Sequence, residues 1–492
     1  MKRISIDPIT RLEGHGKIDI FLADDGSVAN CYFQVPELRG FEKFVEGMPI
    51  EEVPRVVSRI CGVCPASHHL AAGKAADAVY KVDPPPAAKK LRELYYSAHY
   101  FHSHIAHFYA LAAPDFVLGP DADPAIRNIL GVVEKVGLQV AGEVLKHRAI
   151  GQDIQIMVGG RSTHPVWTLP GGVSKGITED QRKEIIEKAK SCVEFAKFSL
   201  KLFEDVVLKN KAYLDIILSD IFEMDSYWIG TVDAKNFVNF YHGDHRVVDQ
   251  KGKEVFRYKD HEYLDYITER VEKYSYLKFP YLKKIGWKGF VDGPESGVYM
   301  ATPLSRLNAA DGMATPLAQE EYEKMYSTLG GKPVKKLMAT HWARLVELLY
   351  AAERLLELAQ DPEVASPNIR TLPTAIPEEG VGIVEAMRGI LTHHYQTDKN
   401  GLVTKANLIV GTTNNNAPIS MSIKRAAQKL IQPGKEIGQG LLNMVEMAFR
   451  LYDPCFSCAT HSLPGEMPLI IDVINADGDV VHHEGRTDKR SS

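Results

Sequence analysis

Hydrophobic and polar residues alternate near the start of the chain. Ile18, Ile20 and Leu22 alternate with polar positions, a turn follows at residues 24–26, and apolar positions return from Val28 to Val35. This alternation predicts antiparallel strands within residues 3–35.

From Ile50 onward the apolar positions repeat with a helical period instead. Pro65 and the prolines that follow Asp83 are placed where helices begin. The predicted helices span residues 51–59, 65–79, 86–112, 124–150, 178–209, 316–329, 337–359, 415–431 and 435–451.

Two segments depart from the helical pattern. Residues 226–300 are rich in aromatic side chains and carry a hairpin signal at residues 249–252, which predicts a small α+β insertion. The tail from Ser462 contains one predicted strand pair, Leu469–Ile474 and Val480–His483. The fold class expected is therefore α+β and mostly helical, with a core of long helices and a peripheral N-terminal sheet.

Composition and charge exclude several functional classes. The chain has 492 residues, of which 45% are hydrophobic and 25% charged, and its net charge is −5 without a long run of one sign. Nothing in this distribution indicates binding to nucleic acid. No apolar stretch approaches the roughly 18 residues of a membrane-spanning helix, and no secretory signal is visible. We expect a cytoplasmic protein.

Four of the six cysteines form two matching pairs near opposite ends of the chain, Cys61-Gly62-Val63-Cys64 and Cys455-Phe456-Ser457-Cys458. Four thiolates favour soft or borderline metals such as zinc, nickel, copper or iron. A structural zinc ribbon closes over roughly 15–20 residues, and thioredoxin-like chemistry needs one pair beside a βαβ unit, so both alternatives fit poorly. Cys31 and Cys192 are isolated and are expected to pack in the core.

Histidines are the second group of possible ligands. His99, His102, His104 and His107 lie on the predicted helix 86–112, where they spread over about 200° around its axis. They do not form one metal-binding face, so hydrogen-bonded packing is expected. Taken alone, Glu13 and Arg388 have no specific interpretation.

Together these segments resemble the large, catalytic subunit of nickel–iron hydrogenases. The resemblance runs from the N-terminus to His461. It rests on the two cysteine pairs and on the motifs at residues 11–15, 39–42, 59–68, 159–172 and 385–389. It implies reversible cleavage of dihydrogen at a nickel–iron centre whose iron carries carbon monoxide and two cyanides.

The resemblance also assigns the metal ligands. Cys61 and Cys455 correspond to terminal nickel ligands, and Cys64 and Cys458 to bridges between nickel and iron. Glu13 corresponds to a proton-relay carboxylate beside Cys455.

Further residues are expected around the centre. Arg388 corresponds to a guanidinium above the site, where it can donate hydrogen bonds to a cyanide, and Asp453 to the acid beside it. His68, Val410 and Thr412 correspond to outer residues that orient the centre and its diatomic ligands. The resemblance further implies a second metal, magnesium or iron, with the ligands Glu42 and His461.

Two departures from the respiratory, membrane-bound members indicate a cytoplasmic branch. Residues 102–104 read His-Ser-His where those members have His-Asp-His, and Met387 replaces a proline before the arginine. Within that branch the chain looks most like the methyl-viologen-reducing type associated with heterodisulfide reductase. The deazaflavin-coenzyme-reducing, NAD(P)-linked and sulfhydrogenase types are the alternatives.

The resemblance implies partners and processing as well. With no spare set of cysteines for an iron–sulfur cluster in this chain, electrons are expected to leave through an iron–sulfur small subunit. Beyond it we expect a heterodisulfide-reductase or flavoprotein complex and an electron-transfer subunit. A maturation protease is expected to cut between His461 and Ser462, which leaves residues 1–461 as a single domain.

Two functions of another kind remain open at this point. One is a non-catalytic relative that keeps the fold as a coupling element, although such relatives lack the full set of four cysteines. The other is a scaffold protein stabilised by zinc, which metal analysis distinguishes.

Overall fold

The structure is a computed structural model that describes residues 2–460, 470–474 and 480–485. Long helices alternate with short strands along the chain. The helices are α1 (Phe41–Phe44), α2 (Val53–Val57), α3 (Pro65–Val79), α4 (Pro86–Ala106), α5 (Ala113–Val117), α6 (Ile129–Val136), α7 (Leu138–Gly159), α8 (Glu179–Phe203), α9 (Lys211–Leu218), α10 (Tyr263–Tyr266), α11 (Pro303–Ala309), α12 (Pro316–Thr328), α13 (Thr340–Gln360), α14 (Asn416–Leu430), α15 (Gln439–Arg450) and α16 (Phe456–Ala459).

The strands are short and distributed over several small sheets. They are β1 (Lys2–Ile6), β2 (Lys17–Leu22), β3 (Val28–Gln34), β4 (Thr168–Leu169), β5 (Gly172–Val173), β6 (Tyr227–Val232), β7 (Phe237–Val238), β8 (Asp244–Val248), β9 (Glu254–Tyr258), β10 (Ile267–Val271), β11 (Lys278–Leu282), β12 (Tyr299–Met300), β13 (Gly312–Met313), β14 (Glu379–Ala386), β15 (Gly389–Thr397), β16 (Val403–Ile409), β17 (Ile470–Ile474) and β18 (Val480–Gly485).

Helix α4 packs against α7 and α13, and α8 packs against α13 and α7. Local signals explain where they begin: Pro86 is the first residue of α4, and Thr178 and Gln181 form a reciprocal capping box before α8. Almost every side chain of α4 and α13 is buried. This is the helical core that the sequence predicts.

The antiparallel N-terminal sheet has the order β1-β2-β3. Ile18 and Ile20 are fully buried on its inner face, and the ring of Phe33 lies 4.9 Å from that of Phe456. The sheet therefore packs directly against the second cysteine pair.

A sheet of three antiparallel strands, β14-β15-β16, was not predicted from the sequence. It packs tightly on α3, because Gly380 and Gly382 let the backbone of β14 approach the helix closely. After Glu385 the chain leaves this sheet and runs toward the metal pocket. The sheet therefore determines where Arg388 lies.

Most other predicted elements are confirmed within a few residues. The predicted helix 124–150 is wrong in detail, because Gly137 adopts a φ of 87° and separates α6 from α7. The hairpin at residues 249–252 joins β8 to β9. Within the part of the chain that the structure describes, no helix combines the length and hydrophobicity needed to cross a membrane.

Candidate metal centre

The four paired cysteines meet in one buried cluster. The Sγ atoms of Cys61 and Cys455 are 3.1 Å apart, those of Cys64 and Cys458 are 3.4 Å apart, and those of Cys455 and Cys458 are 2.7 Å apart. All four thiols are free, and all four sulfurs lie within 4.8 Å of one another. Among the described residues this is the one group of three or more His, Cys, Asp or Glu ligand atoms close enough to hold a metal ion.

Two tight turns present the sulfurs. Cys61 follows a short 3-10 turn, and its Sγ accepts hydrogen bonds from the backbone N–H groups of Val63, at 3.1 Å, and Cys64, at 3.4 Å. Cys64 precedes α3, whose first residue is Pro65. Cys455 occupies the same kind of position before α16. Backbone N–H groups at a helix start favour thiolate, as the sequence predicts for the first pair.

The cluster has the donor chemistry of a metal site. Hydrogen bonds from the neighbouring thiols lower the pKa of Cys61 well below its ordinary value, whereas burial raises the pKa values of Cys455 and Cys458 well above theirs. Four buried sulfurs this close together share protons when they are thiols. When they are thiolates, their negative charge needs a cation to balance it. The residues present therefore fit a soft or borderline metal centre.

Glu13 lies directly beside the cluster. Its Oε2 accepts hydrogen bonds from the Cys455 thiol, at 2.8 Å, and from the Ser457 backbone, at 3.2 Å. Its backbone N–H donates to Pro454, and its carbonyl oxygen accepts from Phe456 at 3.0 Å. The N-terminal segment is thus joined to the second cysteine pair at the predicted contact.

Arg388 and Asp453 form a buried ion pair, with Nη2 and Oδ2 3.0 Å apart. Burial raises the pKa of Asp453, while Arg388 opposes this shift. Burial also disfavours the Arg388 cation, but the charges of Asp453 and the cysteines more than offset it and raise the pKa of Arg388. The Ser103 hydroxyl lies 3.5 Å from Arg388 Nη1.

A small cavity adjoins three of the sulfurs. The Thr412 hydroxyl accepts a hydrogen bond from the Cys455 backbone at 3.1 Å, and His68 Nδ1 lies 3.1 Å from His393 Nε2. The sequence-predicted residues that line the cavity are Cys64, His68, Arg388, Val410, Thr412, Cys455 and Cys458.

Comparison with known proteins shows to which family the chain belongs. The family model described as nickel-dependent hydrogenase matches residues 39–125 and 204–461. A second model, described as HoxL-like, matches residues 3–38.

The chain belongs to the nickel-dependent hydrogenase family. It is a large, catalytic hydrogenase subunit, and the expected family and enzyme class are confirmed.

Named relatives of this hydrogenase chain cover nearly its whole length. An F420-non-reducing hydrogenase iron-sulfur subunit from Archaeoglobus profundus is 54% identical over 98% of this chain and 99% of its own. An F420-non-reducing hydrogenase subunit from Methanothermobacter marburgensis is 41% identical over 98% and 99%. The beta subunit of the NAD-reducing hydrogenase HoxS from Cupriavidus necator is 37% identical over 99% and 100%.

Solved hydrogenases share the fold. An NAD+-reducing [NiFe]-hydrogenase in the H2-reduced state superposes with a TM-score of 0.88 at 35% identity, covering 94% of this chain and 100% of that one. The Ni-Fe-Se hydrogenase from D. vulgaris Hildenborough has a TM-score of 0.73 at 24% identity, over 94% and 100%. The predicted α+β, mostly helical hydrogenase fold is confirmed.

The residues predicted for a second metal are only partly described. Glu42 is buried on α1, and its Oε1 lies 3.8 Å from the Nζ of Lys278, which also contacts Glu269 at 2.9 Å. His461 and the cleavage position between it and Ser462 lie outside the described residues. Both assignments stay predictions.

A buried network of charges beside the hydrogenase pocket is not predictable from the sequence pattern. Arg306 pairs with Glu347 and Glu385, and Arg344 lies close by on α13. Charged residues on a helix normally indicate an exposed face, so their periodicity carried no signal of burial. The histidines of α4 are buried and hydrogen-bonded, as expected: for example, His104 Nε2 lies 3.0 Å from Glu347.

Proposed function

We propose that this chain is the hydrogen-cleaving subunit of an F420-non-reducing nickel–iron hydrogenase, which catalyses H2 ⇌ 2H⁺ + 2e⁻. The observation that carries the proposal is the cluster of four buried sulfurs beside Glu13 and Arg388. The type is supported by relatives of that name at 54% and 41% identity, against 37% for the NAD-reducing relative.

The cofactor proposed is a nickel–iron centre with Cys61 and Cys455 as terminal nickel ligands and Cys64 and Cys458 as bridges. The cavity is lined by both proposed bridges, Cys64 and Cys458, and by Cys455, so it adjoins the space between nickel and iron ligands. Apolar groups such as Val410 suit the carbonyl ligand of iron, and the donors of Arg388 and Thr412 suit the two cyanides.

The chain's own residues move the proton. When bound, the nickel–iron centre supplies the place where dihydrogen is polarised and its electrons are taken up. Cys455 Sγ then accepts a proton and passes it over 2.8 Å to Glu13 Oε2. Asp453 holds Arg388 over the pocket.

A second metal, magnesium or iron, is proposed at Glu42 and His461. The first support is the carboxylate of Glu42, which is buried on a short helix. The second is the loop before that helix, where the backbone N–H of Arg39 donates a hydrogen bond to the carbonyl oxygen of Thr460 at 3.1 Å. Thr460 is the residue before His461, so the two proposed ligands come from adjoining segments.

Electrons are proposed to leave through an iron–sulfur small subunit, and to pass from there to an electron-transfer subunit of a heterodisulfide-reductase or flavoprotein complex. Relatives named as subunits of multi-subunit hydrogenases support partner subunits in general. Cys31 and Cys192 are buried apart from the cluster. The same proposal includes a cytoplasmic location and a single domain over residues 1–461, with residues 226–300 as an insertion. It also includes the removal of residues 462–492 by a maturation protease.

Infrared spectroscopy of the anaerobically purified complex, with nickel and iron counted on the same sample, tests this function. One carbonyl band, two cyanide bands and about one nickel per chain are expected from the four-cysteine site. Zinc in place of nickel, without those bands, would contradict it.

A further inference from the structure

Arg388 lies in the short turn between β14 and β15, which consists of residues 387 and 388 alone. The carbonyl oxygens of residues 386, 387 and 388 all accept hydrogen bonds from side chains outside the sheet. Arg306 donates to the first two, and Asn415 Nδ2 donates to the third at 2.9 Å. The backbone that carries Arg388 is therefore held from outside at every residue.

Arg306 reaches this turn from α11, where it is fully buried. Its Nη1 donates to the carbonyl oxygen of Ala386 and its Nη2 to that of Met387, both at 3.0 Å. Gly230 permits the approach, because a Cβ atom there would lie 2.8 Å from the Arg306 Cα and α11 packs directly on β6. The guanidinium thus extends to the turn from a closely packed helix.

Two buried carboxylates orient the Arg306 guanidinium. Glu347 accepts hydrogen bonds from its Nε at 2.5 Å and from its Nη2 at 2.7 Å, and Glu385 Oε2 accepts one from its Nη1 at 3.3 Å. With the two carbonyl contacts, these make as many hydrogen bonds as a guanidinium has N–H donors. A planar fork bonded at every donor has one orientation, so it fixes both carbonyl oxygens of the turn.

The Arg388 side chain has few contacts of its own. Its Nη2 lies 3.0 Å from Asp453 Oδ2, and its Nη1 lies 3.5 Å from the Ser103 hydroxyl. Its Nε has no hydrogen-bond partner among the described residues. The direction of this side chain therefore depends on where the turn holds its backbone.

We propose that Arg306 is a positioning residue for the hydrogenase site, which holds the turn between β14 and β15 and so keeps Arg388 directed at the metal pocket. Arg306 itself does not line the cavity, whereas Arg388 does. The inference rests on the proposed function, because it treats Arg388 as the donor to a ligand of the centre.

The test compares two variants of the intact complex. Arg306→Lys keeps the positive charge, but a single ammonium group cannot reproduce the planar fork. Arg92→Lys is the matched control, because Arg92 is also buried, pairs with Asp77, and donates to one carbonyl oxygen in β4 at 3.0 Å and one in β5 at 2.7 Å. Neither of those strands lines the cavity.

Three measurements follow the effect of each variant. Crystal structures report the position of Arg388, infrared spectra report the cyanide bands, and hydrogen-oxidation assays report kcat. In Arg306→Lys, Arg388 is expected to move away from the pocket and at least one cyanide band is expected to shift. A fall in kcat of about 10²-fold is expected, as for a misplaced group in an active site, with nickel content unchanged.

Arg92→Lys is expected to keep the wild-type position of Arg388, the wild-type bands and the wild-type kcat. An unmoved Arg388 with unmoved bands in Arg306→Lys would overturn the inference. Equal changes in both variants would also overturn it, because they would reflect a general loosening of the fold. Loss of nickel from Arg306→Lys alone would do the same, since the residue would then be needed for metal binding.

The outcomes separate this inference from the proposed function. Cyanide bands that are absent from the wild-type complex would contradict the proposed function, whereas the position of Arg388 would still be read from the crystal structures. If Arg306→Lys fails to fold, the double variant Arg306→Met/Glu347→Gln decides, because it removes a positive and a negative charge together and leaves the net buried charge unchanged. A displaced Arg388 in that variant supports the inference, and a wild-type position overturns it.

Discussion

The Glu13 side chain contacts the second cysteine pair through a single carboxylate oxygen. Its Oε2 accepts from both the Cys455 thiol and the Ser457 backbone. The side chain is thus positioned by one backbone hydrogen bond and remains in contact with the sulfur proposed to release the proton. Its role is separable from metal binding, because Glu13 is not one of the clustered sulfur ligands.

Glu13→Gln is expected to slow exchange between D2 and solvent protons by about 10²–10⁴-fold, since an amide cannot take up the proton from Cys455. Nickel content is expected to stay at the wild-type level. Mass spectrometry of the evolved gas and metal analysis measure both. Glu37→Gln, which changes a carboxylate bonded to His15, is the control. Loss of nickel in Glu13→Gln would show a structural role instead.

Thr412→Val is expected to destabilise the protein by about 1–3 kcal/mol, because the buried N–H of Cys455 loses its acceptor. Chemical denaturation measures the change in the free energy of unfolding. Thr404→Val is a matched control, since the Thr404 hydroxyl bonds to Gln396 in an exposed position. Equal stabilities of the two variants would contradict the importance of the Thr412 contact.

At the scale of elements, β14 packs against α3, the helix that follows the first cysteine pair. Cys64 directly precedes α3, and β14 packs along that helix. A Cβ atom at Gly382 would lie 2.2 Å from the Ala71 carbonyl oxygen and 2.3 Å from the Ala75 nitrogen. The backbones touch here, and no side chain fits between them.

Gly382→Ala is therefore expected to lower the stability by about 1–3 kcal/mol, because the helix must move away from the sheet. Gly142→Ala is the control: that glycine lies within α7, nothing stands within 4 Å of its added Cβ, and a gain of about 0.5–1 kcal/mol is expected. Thermal unfolding compares the two. A Gly382→Ala protein as stable as the wild type would contradict the close packing.

The sequence predicts elements best where a local signal marks their ends. The predicted helix 65–79 has the observed bounds, because Pro65 marks its start. The sheet of β14, β15 and β16 was missed, since β14 and most of β15 are buried on both faces and show no alternation. The break at Gly137 was missed because an isolated glycine inside an apolar pattern does not reveal its φ.

At the scale of the whole molecule, the candidate site was predictable where its residues stand in distinctive motifs. The two cysteine pairs, Glu13 and Arg388 come together as expected. Arg344 and Glu347 were not predictable, because a charged residue on a helix is usually solvated. Their burial follows only from how α4 and α13 pack together.

The processing proposal also belongs at this scale. Active, nickel-loaded protein is expected to end at His461, while protein from nickel-starved cells is expected to retain residues up to Ser492. The physical reason is that the proposed cut lies between the third and fourth residues after Cys458, close to the cysteine pair proposed to bind the metal. Intact-mass measurement decides, and a full-length chain in the active enzyme would contradict cleavage.

The distance along the chain between the two cysteine pairs has a consequence for biosynthesis. The sulfurs that meet in the pocket are 394 positions apart. A ribosome makes the chain from its N-terminus, so the whole segment between the two pairs has been made before the third sulfur of the cluster exists. A site with all four sulfurs therefore exists only after Cys458 has been made, and a nonsense mutation anywhere between Cys64 and Cys455 leaves half a ligand set.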